Sequence, residues 1–116
     1  MSELHFELPK PDLGAWRAGN TGTEGVWAYS AHPPGPHVLV TALVHGNELC
    51  GAWALLDALQ IGLRPRRGSL TLAFCNLAAF DAFDANNSDA SRYLDEDLNR
   101  VWGPALKSRP SSREQR

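Results

Sequence analysis

The sequence predicts an α/β fold, a mainly parallel sheet flanked by helices, and three features carry that reading. Two short runs, Val38 to Val44 and Ser69 to Cys75, are almost continuously apolar, as strands buried on both faces are. Between them Leu49, Ala52, Trp53, Leu56 and Leu59 recur at helical spacing. A strand, a helix and a second strand in this order imply parallel neighbours joined by a right-handed crossover.

In chain order, residues 1–20 alternate weakly and contain Pro9, Pro11 and Gly14, so an extended arm is expected, with a short strand around His5 to Leu8. Val26 to Ala31 is β-branched and aromatic and reads as a strand. His32-Pro33-Pro34-Gly35-Pro36-His37 is a turn, because three prolines and a glycine build neither regular element. Its two histidines read as polar loop residues rather than ligands, since neither has a partner in a motif.

The central strand stops at His45-Gly46-Asn47-Glu48. Gly46 is expected to let the backbone leave the strand sharply, and Asn47 to cap the next helix with its side chain. That helix spans about Glu48 to Gln60, with its Leu and Trp face on the sheet and Gly62 as its stop. Arg64-Pro65-Arg66-Arg67-Gly68 is a basic turn, either a phosphate patch or a solvated connection. The next strand ends at Asn76, Leu77 to Phe83 suits a short helix, and Asp84 to Ser91 is a loop by composition.

With 116 residues, 43% hydrophobic and 21% charged, and a formal charge of −2, the chain suits one small globular unit. The start shows no signal-peptide pattern, and no apolar stretch reaches the ~18 residues needed to span a bilayer. Cys50 and Cys75 sit inside apolar segments and read as buried thiols in a reducing compartment, hence a cytoplasmic location and no membrane partner. Residues 107–116 carry a charge of +3 against −5 for residues 1–106. Without interleaved aromatics that short end reads as a solvated tail, and no nucleic-acid partner is expected.

His45 and Glu48, at i and i+3, lie on one side of a helical turn and offer a nitrogen and an oxygen to one ion, or else they are polar residues of an exposed loop. The turn at Gly46 lacks the several glycines and the lysine of a phosphate-binding loop. A second cluster runs Arg92-Tyr93-Leu94-Asp95-Glu96-Asp97-Leu98-Asn99-Arg100-Val101-Trp102. Its two arginines suit a carboxylate, which a guanidinium fork matches in bidentate fashion. Asp95, Glu96 and Asp97 hold those arginines, orient a metal-bound histidine, or form a solvated cap, and residue type alone does not choose.

HGNE at a strand end, Asn76 with the segment after it, and Arg92-Tyr93-Leu94 leading into Asp97-Leu98-Asn99-Arg100 together resemble the succinylglutamate desuccinylase and aspartoacylase family of zinc deacylases. The order and spacing match across roughly residues 38 to 102. The resemblance implies an incomplete zinc carboxypeptidase-like (phosphorylase/hydrolase-like) domain, with Zn2+ held by His45 and Glu48. It implies that Arg92 polarises the scissile carbonyl, that Asn99 and Arg100 bind the carboxylate, and that an N-acyl amino acid is hydrolysed at its amide. Asp97 is the residue expected to support a ligating histidine from behind.

The family's third ligand, a histidine, and its general base, a glutamate, both lie downstream of the Asn-Arg motif. Here His45 is the last of four histidines, and Glu114 is the one acid after Arg100. Ser111-Ser112-Arg113-Glu114 fits a capping box at a helix start. The expectation is therefore an N-terminal catalytic part over residues 1–106, then a basic polar tail or the start of a truncated helix over residues 107–116, inactive as it stands. Two other readings are a metallocarboxypeptidase, disfavoured by the short interval between the two motifs, and a non-catalytic α/β interaction module.

Overall fold

The computed structural model describes residues 8–84, 86–95 and 97. Its regular elements are the strands β1 (Val26–Ser30), β2 (His37–Ala42) and β3 (Ser69–Phe74) and the helices α1 (Leu49–Gln60) and α2 (Leu77–Asp81). Short 3-10 helices span Gly14–Arg17 and Ser88–Ser91. The chain divides into two compact units: Pro11–Ala42 with Cys50–Cys75, and the described residues within Met1–Lys10, Leu43–Leu49 and Asn76–Arg116. No described helix is long and apolar enough to cross a membrane.

The first unit holds the sheet, in the order β1-β3-β2. β2 and β3 are parallel, from His37 opposite Ser69 to Ala42 opposite Phe74, as the strand-helix-strand order requires. β1 runs antiparallel to β3, with Val26 opposite Ala73 and Ser30 opposite Ser69. The sheet is therefore mixed, not mainly parallel, among the described residues. The physical reason lies in the connection from β1 to β2: residues 31–36 are too few for a crossover, so the chain reverses direction there.

Burial corrects a second expectation. β3 is central and buries Leu72, Ala73 and Phe74, whereas β2 is an edge strand with Val38 48%, Leu39 63% and Val40 41% exposed. An apolar run reports what a strand tolerates; its place in the sheet decides what is covered. In α1 the buried positions are Leu49, Ala52, Leu55, Leu56 and Leu59, and Trp53 is exposed, so Leu55 takes the core position expected of Trp53. Gly51 lets α1 approach β2: a Cβ there would stand 3.3 Å from the Ala42 Cβ.

The end of α1 follows the Gly62 expectation. Gly62 adopts φ +74, its N–H donates to Leu59 O at 3.2 Å, and the Leu63 N–H donates to Ala58 O at 3.0 Å. These are the two bonds of a Schellman cap. In the N-terminal region the described part is not an extended arm. It contains the Gly14–Arg17 helix, pinned to β1 where Trp27 Nε1 donates to Trp16 O at 2.8 Å and the two indoles meet edge to face at 5.1 Å. Asn20 acts as a substitute strand neighbour: its amide donates to Ala28 O at 2.9 Å and accepts from Ala28 N at 2.7 Å. The strand expected around His5 to Leu8 lies outside the described residues apart from Leu8.

Candidate metal and substrate site

The second unit is built from the residues that follow β2 and β3. Within it the Asn76 N–H donates to Leu43 O at 2.8 Å, which ties its two segments together. Leu43 then takes φ +59, a left-handed conformation that costs a branched residue about 1 kcal/mol or more. Its side chain is 1% exposed, and that burial holds the turn. Two residues later comes His45, also buried.

Gly46 is needed for a reason other than the one expected. The left-handed turn is made at Leu43, and Gly46 is instead a point of close approach. A Cβ there would lie 2.6 Å from Ala79 O, and closer still to Ser91 O. The Gly46 N–H donates to Arg92 O at 2.9 Å, so the His45 turn, the start of α2 and the Arg92 segment meet at one backbone position. Asn76 fixes the second of these, its Oδ1 accepting from Ala79 N at 3.2 Å as the N-cap of α2. Asn47 does not cap α1 with its side chain; its carbonyl accepts from Leu49 N at 3.1 Å.

The structure brings His45, Glu48, Arg92 and Asp97 together. His45 Nε2 lies 2.8 Å from Asp97 Oδ1, and Nδ1 lies 3.3 Å from Glu48 Oε1. The same Glu48 oxygen accepts from the His45 backbone N–H at 2.9 Å, which fixes the carboxylate relative to the ring. Arg92 Nη2 stands 3.5 Å from Nε2, at the outer limit for a hydrogen bond. Since guanidinium is only a donor, Nε2 cannot accept from Arg92 while donating to Asp97. On the shorter contact we assign the Nε2 proton to the bond with Asp97.

That tautomer makes Nδ1 the informative atom. A neutral ring then aims a lone pair at a carboxylate, which only a proton or a cation between them makes favourable. Zinc fits: two ligands bonded at about 2.0–2.1 Å to one tetrahedral ion stand roughly 3.3–3.4 Å apart. Among the described residues no group of three or more His, Cys, Asp and Glu side chains is placed to hold a metal. Asn99 and Arg100 lie outside the described residues, as does the stretch 107–116.

An open cleft of 530 Å³ lined by Gly14, Ala15, Arg17, Ala18, Gly22 and Glu24 belongs to the sheet unit. Its charged groups, Arg17 and Glu24, face each other at 3.4 Å, so it offers little to a charged ligand. The Cys75 thiol is pushed above its ordinary pKa by burial, which suits an inert core residue and not a nucleophile. Sequence reasoning missed the left-handed Leu43 and the buried Ser91; a leucine in a strand pattern and a serine in a polar loop give no warning of either.

The second unit thus gathers His45, Glu48, Arg92 and Asp97 around one imidazole, a cluster of ionisable side chains of the kind hydrolases use. The chain belongs to the succinylglutamate desuccinylase/aspartoacylase catalytic domain family, whose model matches residues 34–116. No curated protein and no solved structure matches it.

Proposed function

We propose that the chain is the N-terminal part of a zinc carboxypeptidase-like deacylase, in which His45 and Glu48 hold Zn2+ and the substrate is an N-acyl amino acid cleaved at its amide. The observation that carries this reading is the His45 Nδ1 atom, held 3.3 Å from Glu48 Oε1 while Nε2 is engaged by Asp97. Membership of the deacylase family supports the reaction class. Bound zinc would supply Lewis-acid polarisation of the carbonyl and a water acidified toward neutrality.

The chain's own residues do the rest. Asp97 fixes the imidazole tautomer and makes the ring a stronger donor. Arg92, exposed beside His45, offers its guanidinium to the oxygen that gains charge as the carbonyl is attacked. Asn99 and Arg100 receive the substrate carboxylate, Arg100 by a bidentate fork. In this reading the third ligand and the general base are supplied from outside the described residues, which alone are inactive. The reading includes a cytoplasmic location, for which the free thiols of Cys50 and Cys75 are the support.

Binding tests the proposal. The zinc-supplemented chain should bind N-acyl amino acids saturably, without turnover, in preference to the free amino acids and to peptides. Arg100→Ala should weaken that binding roughly tenfold or more with zinc uptake unchanged. Preference for a peptide's C-terminal residue would instead support the carboxypeptidase reading, and no binding of either class the interaction-module reading. Turnover by the chain alone would refute its incompleteness.

A further inference from the structure

We propose that the loops at the amino ends of β2 and β3 form a docking surface for an acidic, partly apolar segment of a partner protein. Residues 31–37 and 61–68 carry Arg64, Arg66, Arg67, His32 and His37 and no acid, in a chain whose net charge is −2. Arg64, Arg66 and Arg67 are all exposed, and among the described residues Arg66 and Arg67 make no ion pair. Ile61 and Leu63, immediately before them, are 68% and 46% exposed.

The surface is preorganised. The Gly68 N–H donates to Pro33 O and the Ala31 N–H to Gly68 O, both at 2.9 Å, and the Ser69 N–H donates to Pro36 O at 3.0 Å. Gly68 holds φ +70, and a Cβ added there would overlap the Pro36 carbonyl, so no side chain would fit. Pro33, Pro34, Pro36 and Pro65 remove further backbone freedom. Arg64 lies over the Tyr29 ring, 3.6 Å from its centroid, and its Nη1 donates to Leu63 O at 2.8 Å. Little backbone entropy is left to lose there on binding.

The same details choose the partner. Guanidinium forks pair with carboxylates, and exposed Ile and Leu beside them offer an apolar anchor of the kind protein interfaces use. Single-stranded nucleic acid would need open aromatic faces for its bases, and the ring present here, Tyr29, is covered by Arg64. His37 is turned to β3, its Nδ1 2.5 Å from Ser69 Oγ, which leaves the arginines as the main charged contacts.

The test is fluorescence anisotropy of the 116-residue chain with a labelled peptide of glutamates and interspersed leucines, beside an all-glutamate peptide and an oligonucleotide of equal charge. The leucine-containing peptide should bind most tightly. Arg66→Glu with Arg67→Glu should weaken it about tenfold or more, and Ile61→Ser with Leu63→Ser several-fold. The unfolding midpoint of each variant should stay within a degree or two of the parent, because all four side chains are exposed. Arg66→Gln with Arg67→Gln replaces the reversal pair if that pair lowers the midpoint. Tighter oligonucleotide binding, equal affinity for variant and parent, or no peptide binding would each overturn the proposal.

Discussion

At Gly46 the absence of a single carbon decides whether the site can form. With the Ala79 carbonyl 2.6 Å from where a Cβ would sit, Gly46→Ala must push backbone, not a flexible side chain. It should cost about 1–3 kcal/mol in a denaturant titration and weaken zinc binding with it. A second residue-scale prediction concerns Asp97: Asp97→Asn should lower zinc affinity about 10–100-fold while leaving stability nearly unchanged, read by competition with a chelating dye. Equal affinity would mean that Asp97 does not hold the ring. The pairing of His45 with Glu48 was legible in the sequence because H-x-x-E is a local pattern. The reason for Gly46 was not, because the atoms that exclude a Cβ belong to residues 33 and 45 positions further along.

Cysteine behaviour separates two residues that the sequence treats alike. Cys50 is exposed and Cys75 partly buried, with its thiol raised in pKa by loss of solvent. Cys50 should therefore react with iodoacetamide faster than Cys75 in the native protein, read by mass spectrometry. The sign for stability follows: Cys75 is neutral in both states below its ordinary value of about 9.0, and above it the unfolded chain ionises first. Its contribution is lost as pH rises from there through the folded pKa, and Cys75→Ser should flatten that alkaline limb.

Among the elements, α1 shows what sequence periodicity can and cannot report. Its existence, length and glycine stop follow from Leu49 to Leu59 and Gly62, which are local signals. Gly62→Ala meets no atoms within 4 Å, so its cost should be conformational only, about 1 kcal/mol. Asn76→Ala at the start of α2 removes the bond to Ala79 N and should cost about 1 kcal/mol as well. Periodicity failed at Trp53 and Leu55, since both lie near the border of one apolar stripe and only the tertiary arrangement chooses between them.

At the scale of the whole molecule, the strand order was the part least open to sequence reading. Nothing in Val38 to Val40 tells an edge strand from a central one, yet the structure leaves that stretch exposed and covers Leu72 to Phe74. A charge should therefore be tolerated on one strand and not the other: Leu39→Lys should shift stability by less than about 1 kcal/mol, and Leu72→Lys should unfold the chain. Comparable losses would contradict the strand order β1-β3-β2. The family assignment stands apart from this, on the match over residues 34–116.

The most direct measurement of the central claim is a long-range proton–nitrogen NMR spectrum of the histidine rings during titration with zinc, with His45→Ala to identify the His45 signals. Excess zinc should shift Nδ1 of His45 toward a coordinated value while Nε2 keeps its proton on Asp97. A zinc response at Nε2, or no response from His45 with zinc in excess, would contradict it.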